Sequence, residues 1–138
     1  MTVTSPVDTL DVAAIRLAWN RSTSASPEQW SARNRARGQC AITACVVQDC
    51  LGGRIIRTEA TLPGGNTESH YANLLEHDVI LDLTESQFPE GTVFGSWEER
   101  TREYVLGFPT TNARYLRLVQ RLNELRTLQK VQAAGLPA

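Results

Sequence analysis

Three side chains, Cys40, His70 and Asp82, follow one another in the order and chemical types that a thiol attack on a carbonyl carbon requires. A thiolate is the nucleophilic form of cysteine, an imidazole can take the proton from the thiol, and a carboxylate can hold that imidazole in orientation. Each residue alone is a weak signal. Their joint placement, with the cysteine at a predicted helix start and the other two on successive predicted strands, is more specific and indicates a site for acyl chemistry.

Cys40 follows Gly38 and Gln39 at the predicted start of a helix. The free backbone N–H groups and the positive dipole end of a helix stabilise a thiolate at this position. The same N–H groups can hold the oxyanion that develops during acyl transfer. The side-chain amides of Gln39 and Asn34 are candidates for a second oxyanion donor.

The pairing of His70 with Asp82 depends on the register of a predicted hairpin. If the two residues lie directly opposite each other, Asn73 opposes Val79, and the Asp82 carboxylate holds one imidazole nitrogen while the other nitrogen faces the sulfur. A tighter turn at His77-Asp78 would pair Asp82 with Asn73 instead and would weaken the triad interpretation.

Two other groups of residues have both a functional and a structural interpretation. Three arginines just before Cys40 could stabilise a thiolate or bind a substrate carboxylate, and a solvated loop is equally consistent with them: Arg33, Arg35 and Arg37. Three tryptophans could line an acyl pocket, although large aromatic residues are more often core: Trp19, Trp30 and Trp97. The arginines of the last predicted helix favour a surface or a dimer flank: Arg114, Arg117, Arg121 and Arg126.

The three cysteines, Cys40, Cys45 and Cys50, do not form a metal-site or disulfide pattern. Steps of five residues turn about 140° around a helix, so the thiols cannot converge on one ion. An odd, clustered count is also unlike the framework of a secreted disulfide protein. We expect Cys45 and Cys50 to be packing residues, and a redox pair between Cys40 and Cys45 ranks last because the two lie on different sides of the helix.

The elements that must position these residues can be predicted from spacing and punctuation. Helical spacing predicts an N-terminal helix from about Pro6 to Trp19, capped by Ser5 or Asp8, and a long polar connection with a short helical turn near Pro27 follows. The run QCAITACVVQDCLGG predicts a buried central helix that ends at paired glycines.

The second half of the chain is predicted to supply a small antiparallel sheet and a long helix. The strands are expected in GRIIRTEATL, SHYANLL and VILDL, and the residues from 84 to 95 are turn-rich. Residues 96–105 have helical or mixed character, and a helix is predicted from Thr110 to Gly135. The expected apolar stripe of that helix consists of Leu116, Val119, Leu122, Leu125 and Leu128. This stripe fits either the chain's own core or a second copy, so a homodimer is an open option.

Composition limits the class of protein. The chain of 138 residues, with 41% hydrophobic and 21% charged residues, fits one domain over residues 1–138. A formal net charge of -1 lacks the basic excess of a nucleic-acid binder, and no apolar run is long enough for a membrane span. The first residues lack the pattern of a signal peptide, so we expect a cytoplasmic protein with neither nucleic acid nor membrane as a partner.

The runs GQCAITACVVQDCLGGRIIRTE, SHYANLL, LDLTESQF and TNARYLRLVQRL resemble the YunG family of small bacterial proteins, over roughly residues 12 to 125. More distantly, a GQC at a helix start, a histidine opening a strand and an Asp-x-Thr on the next strand are similar to the transglutaminase-like and papain-like cysteine superfamily. That resemblance implies Cys40 as nucleophile, His70 as base and Asp82 as the group that orients it. The family run usually carries an aromatic where this chain has Ala72, which is expected to open a pocket beside the histidine.

The expected fold is therefore α+β: a buried helix carrying Cys40 against a small antiparallel sheet carrying His70 and Asp82, flanked by terminal helices. The expected function is a cysteine-dependent hydrolase or acyltransferase that acts on a small-molecule or peptide-like amide, peptide, isopeptide or thioester carbonyl. The mechanism implies no metal or organic cofactor. The alternative is a binding or regulatory module on the same fold without the chemistry.

Overall fold

The computed structural model describes residues 10–135. In chain order the elements are α1 (Val12–Ala18), α2 (Cys40–Leu51), β1 (Arg54–Thr61), β2 (Thr67–Leu74), β3 (Ile80–Leu81), β4 (Val93–Phe94), β5 (Glu98–Arg100), α3 (Arg102–Leu106) and α4 (Pro109–Ala133). Helix α2 packs against α4 and also against β1 and β2. This α+β arrangement confirms the expected fold class, with the cysteine-bearing helix at its centre. None of the described helices is both long and apolar enough to cross a membrane.

Helix α1 is shorter than predicted. It begins at Val12, and Asp11 caps it by accepting a 3.0 Å hydrogen bond from the Ala14 N–H. Leu10 and Asp11 therefore precede the helix, and the expected start near Pro6 and the proposed caps Ser5 and Asp8 lie outside the described residues. The backbone of Asp11 is extended, as is usual for an N-cap residue, so the helix begins at the residue after it.

The long connection between α1 and α2 contains short 3₁₀ turns at Arg21–Thr23 and Pro27–Gln29, which confirms the predicted turn near Pro27. The connection closes back on itself where Gly38 lies against Ser24. A Cβ added to Gly38 would stand 2.3 Å from the Ser24 hydroxyl oxygen, and the glycine φ of +75° is one that other residues rarely adopt. This close approach fixes where the chain turns into α2.

Helix α2 is the buried centre of the fold, as predicted. Ile42 and Val46 belong to a core cluster with α1 and α4, while Ala44 and Cys45 belong to a second cluster with Ile55 of β1. Because apolar residues cover most of its circumference, the helix reads as a continuous apolar run rather than an amphipathic one. The helix ends at Gly52, whose φ is +72°.

The sheet is antiparallel, with strand order β3-β2-β1-β4 and with β5 also paired to β1. The three predicted strands are found, but β3 contains only Ile80 and Leu81 of the predicted VILDL, so Asp82 follows the strand instead of lying on it. Strands β4 and β5 were not predicted, since they lie in segments expected to be turn-rich or helical. They are two and three residues long and pair with β1 on the edge away from β2.

The register between β2 and β3 differs from both expected registers. Asn73 pairs with Leu81 and Leu74 with Ile80, so neither the Asn73–Val79 pair nor the Asn73–Asp82 pair forms. The connecting 3₁₀ turn places His77 and Asp78 at positive φ, which sets a loop length that the sequence pattern does not reveal. Continuing this register puts Asp82 opposite Ala72, which leaves His70 diagonal to Asp82 on the same face of the sheet.

Helix α4 begins at Pro109 and ends at Ala133, which agrees with the predicted long helix. The predicted stripe is wrong in part, because Leu116 and Leu128 are exposed while Leu118 and Leu122 are buried. Residues spaced by three drift about 60° around a helix at each step, so a row of five cannot face one partner. The buried side instead follows a spacing of four residues.

Candidate active site

Cys40 is the first residue of α2, and its side chain is partly exposed. The residue before it, Gln39, makes no side-chain cap to the helix. Among the described residues, the backbone N–H groups of Cys40 and Ala41 have no hydrogen-bond acceptor. The thiol therefore stands at the positive end of a twelve-residue helix beside two free N–H donors.

His70 and Asp82 form a short hydrogen bond, with 2.6 Å between the imidazole Nε2 and the carboxylate Oδ2. The His70 side chain is fully buried and the Asp82 side chain is 12% exposed. Asp82 is itself held in place, because its Oδ1 accepts a hydrogen bond of 3.2 Å from the backbone N–H of Thr84. The structure thus brings the predicted histidine and aspartate together despite the change of register.

The other ring nitrogen of His70, Nδ1, is buried and has no hydrogen-bond partner within the described chain. Burial lowers the pKa of His70, but the hydrogen bond to Asp82 and the hydrogen-bonding and charge interactions with Cys40 together raise it to about 9. Cys40 contributes to this rise in the His70 pKa, but Nδ1 and the Cys40 sulfur do not form a hydrogen bond of ordinary geometry. With Asp82 on Nε2, Nδ1 is the nitrogen left to exchange a proton with the thiol.

Three aromatic rings surround the imidazole of His70. The ring centroids of Phe88, Phe94 and Trp97 lie 4.9, 5.5 and 5.9 Å from that of His70. Sequence reasoning named Trp97 as a pocket candidate and missed both phenylalanines, which lie in the turn-rich segment and in the short strand β4. An aromatic enclosure keeps water from the ring and strengthens the charge interactions inside it.

The other two tryptophans have structural roles. Trp19 is buried and donates its indole N–H to Thr43 at 3.0 Å. Trp30 lies under the guanidinium groups of Arg21 and Arg35, with 5.8 and 5.5 Å to the ring centroid. Neither ring is part of the arrangement around His70.

The side-chain amides expected to serve as oxyanion donors are engaged elsewhere. Gln39 is fully buried, and its Nε2 donates to the Asn20 carbonyl at 3.1 Å while its Oε1 accepts from Thr23 at 2.9 Å. Asn34 donates from Nδ2 to the Gln87 carbonyl at 3.0 Å. These contacts tie the long connection to its neighbours and direct both amides toward those partners; the oxyanion role of Gln39 and Asn34 stays a prediction.

The three arginines before Cys40 do not form a shared positive approach. Arg37 donates to both carboxylate oxygens of Glu68, at 2.7 and 2.6 Å. The pKa of Arg37 is raised, first by this hydrogen bond and then by the charges of Glu68 and Cys40. Arg35 donates to backbone carbonyls, and Arg33 is exposed.

Ala72 does not line an open pocket. Its side chain is 2% exposed and it pairs with Ile56 across the β1–β2 hairpin.

In the described part of the chain, no group of three or more histidine, cysteine, aspartate or glutamate side chains is placed to hold a metal ion.

Comparison with known proteins places the chain in a family. The protein from Bacillus subtilis (strain 168) that carries the description "Uncharacterized protein YunG" is 31% identical over 74 residues, which cover 54% of this chain and 56% of that relative. The match thus spans about half the length of the curated relative. No solved structure gives a significant match. The family model described as YunG protein matches residues 9–127, a span that contains Cys40, His70 and Asp82. The chain therefore belongs to the YunG family.

Proposed function

We propose that the protein is a cysteine-dependent hydrolase or acyltransferase acting on an amide, peptide, isopeptide or thioester carbonyl. The observation that carries the proposal is the state of the His70 ring, which is held by Asp82 at Nε2 and unpartnered at Nδ1 beside Cys40. A buried polar atom without a partner costs free energy, so its retention next to a thiol favours a functional role.

The first half of the reaction forms a thioester. With the His70 pKa at about 9, the imidazolium holds a proton at Nδ1 near neutral pH, and the Cys40 thiolate paired with it adds to the substrate carbonyl carbon. The carbonyl electron pair moves to oxygen, giving a tetrahedral oxyanion. When the C–N or C–S bond to the leaving group breaks, the imidazolium returns the proton to the departing amine or thiol.

The second half releases the acyl group. Water, or an acceptor amine, gives its proton to Nδ1 of His70 as its oxygen or nitrogen attacks the thioester carbon. The Cys40 sulfur leaves with the bonding pair and regains the proton from the imidazolium. Hydrolysis and transfer differ only in which nucleophile enters, so the same three side chains serve both outcomes.

The free N–H groups of Cys40 and Ala41 are the proposed oxyanion donors. They lie at the start of α2 and have no acceptor among the described residues. A helix N-terminus favours negative charge, so these donors are well suited to an oxyanion formed on a carbon bonded to the Cys40 sulfur.

The proposed relationship to papain-like and transglutaminase-like proteins rests on order and placement. A nucleophile at the start of a central helix, a histidine on a following strand and an acid after the next strand form the same sequence of roles in that superfamily. The α+β arrangement around α2 supports the comparison.

The test is the capture of an acyl-enzyme. The protein is mixed with 4-nitrophenyl acetate, quenched in acid and digested, and the acetylated residue is identified by mass spectrometry. We expect acetyl to accumulate on Cys40, and to disappear in Cys40→Ala and in His70→Gln while the matched thiol control Cys50→Ala retains it. Equal labelling of Cys40 and Cys50, or labelling unaffected by His70→Gln, would contradict the proposal and favour a binding or regulatory module.

A further inference from the structure

A small cavity beside the C-terminal end of α1 has a lining rich in arginine. Its volume is about 240 Å³, which is below the roughly 300–1,000 Å³ of cavities that hold drug-sized ligands. Arg16 comes from α1, Arg33 and Arg35 from the connection between α1 and α2, and Ser86 from the 3₁₀ turn at Glu85–Gln87. None of the described residues that line the cavity is acidic. The lining therefore favours a small anion.

Two of these arginines, Arg16 and Arg33, are exposed and lack a carboxylate partner. Among residues 10–135 neither guanidinium takes part in an ion pair. The nearby Arg37 shows the opposite arrangement, because both of its terminal nitrogens donate to Glu68. An ion that enters the cavity from solvent can reach Arg16 and Arg33, and it would meet two positive charges that no described side chain offsets.

The third arginine, Arg35, is held in place at the wall of the cavity. Its Nε donates to the Arg16 carbonyl at 3.2 Å, and its Nη2 donates to the carbonyls of Leu17 and Trp19 at 3.1 and 2.8 Å. Its guanidinium also lies over the Trp30 ring, 5.5 Å from the ring centroid. Carbonyls at the end of a helix carry partial negative charge, so they offset part of the Arg35 charge. A side chain already fixed in this way loses little conformational freedom when a ligand binds.

We propose that this cavity binds a phosphate group, either as the free ion or as part of a small phosphorylated compound. A phosphate monoester carries a charge of about −1.5 to −2 at pH 7, which matches the two unpaired guanidinium groups of Arg16 and Arg33 better than the single charge of a carboxylate does. Guanidinium groups also bind phosphate oxygens with pairs of parallel N–H···O bonds. The exposed Ser86 hydroxyl supplies a further donor. The cavity includes none of the three side chains of the candidate active site, so the phosphate site stands independently of the proposed function.

The test is an NMR titration of the ¹⁵N-labelled protein with sodium phosphate at pH 7.5, in which sodium chloride is lowered to keep the ionic strength constant. We expect saturable shifts of the backbone amides of residues 33–36 and 86, which line the cavity. Sodium acetate, titrated in the same way, should bind about fivefold more weakly, because its single charge forgoes one exposed ion pair.

The affinity should depend on the arginines of the cavity. Arg33→Gln should weaken phosphate binding by about fivefold, and the double variant Arg16→Gln with Arg33→Gln should abolish the saturable shifts. Both side chains are exposed, so the fold is expected to tolerate these changes. The matched control is Arg54→Gln, which removes the same charge from an exposed arginine of β1 that does not line this cavity. It should leave the phosphate affinity unchanged.

The source of the phosphate group is decided by titrating glycerol 3-phosphate alongside inorganic phosphate. Tighter binding of the ester would support a phosphorylated small compound as the ligand, and equal or weaker binding would support the free ion. Shifts that do not saturate, acetate binding as tight as phosphate binding, or an equal loss of affinity in Arg54→Gln and Arg33→Gln would overturn the phosphate site. None of these results bears on the labelling of Cys40, so the proposed function is tested separately.

Discussion

The buried His70–Asp82 pair predicts a specific dependence of stability on pH. The His70 pKa is raised to about 9 in the folded protein, against about 6.5 in the unfolded chain. The folded state therefore binds the imidazole proton more tightly than the unfolded state. This stabilisation is fully present below about pH 6.5 and is lost as pH rises through about 9.

The size of the effect follows from the same values. One pH unit of pKa difference corresponds to about 1.4 kcal/mol, so the rise to about 9 corresponds to about 3 kcal/mol of unfolding free energy. Urea unfolding at pH 6 and pH 9.5 measures the loss of unfolding free energy over this pH interval. We expect this loss to be larger in the wild-type protein than in His70→Gln by that amount, because groups that titrate in both proteins cancel. The His70 imidazole should also titrate near pH 9 by NMR, with the exposed His77 as a second imidazole in the spectrum.

Replacing the Asp82 carboxylate by an amide tests whether it causes the raised pKa of His70. In Asp82→Asn the raising hydrogen bond is weakened while the burial of the ring remains, so the NMR midpoint of His70 must move down. If the midpoint stays the same, Asp82 does not stabilise the imidazolium. If the wild-type and His70→Gln proteins lose stability in parallel between pH 6 and pH 9.5, the reasoning about this pair is wrong.

The contacts that position α2 give two further predictions. Gly38→Ala should lower the free energy of unfolding in urea by more than about 2 kcal/mol, because the new Cβ combines a left-handed φ with a clash against Ser24. The control Gly52→Ala has a similar φ but open space around the Cβ, so it should cost about 1 kcal/mol. Similar losses in the two variants would contradict this explanation. Asn73→Ala removes a buried 2.9 Å hydrogen bond from β2 to the Ala44 carbonyl of α2 and should cost about 1–3 kcal/mol by the same assay, a value near zero being inconsistent with this contact.

Helices and strands could be predicted from the sequence where residues close together in the chain determine the local structure. Helix α2 could be predicted because an apolar run of helical length ends at Gly52, whose positive φ suits glycine. The strands that carry His70 and its neighbours could be predicted from their β-branched and apolar residues and the turns that bound them. Cys40 was placed at the helix start for the same local reason.

The register and the surroundings of His70 could not be predicted, because they depend on contacts between distant segments. The loop after β2 uses positive φ at His77 and Asp78, which are not glycines, so its length gave no register signal. Phe88 and Phe94 reach His70 through a turn-rich segment and a two-residue strand that is formed only by pairing with β1. Short strands of this kind carry almost no local pattern.

The hydrogen bonds of Gln39 and Asn34 could not be predicted for a related reason. Sequence proximity placed both amides near Cys40, but their hydrogen-bond partners, among them Thr23 and the carbonyl of Gln87, belong to other segments. A side-chain amide is directed by the partners that fold around it, and those partners could not be identified from spacing along the chain.

Activation of Cys40 by His70 can be measured as the rate of Cys40 alkylation by iodoacetamide from pH 5 to pH 10, followed residue by residue. Burial raises the pKa of Cys45 to about 12, which makes that thiol an internal negative control. We expect Cys40 to react near neutral pH faster than Cys45 and Cys50, and His70→Gln to remove this advantage. Equal reactivity of the three thiols, or a Cys40 rate that is unchanged in His70→Gln, would contradict this expectation.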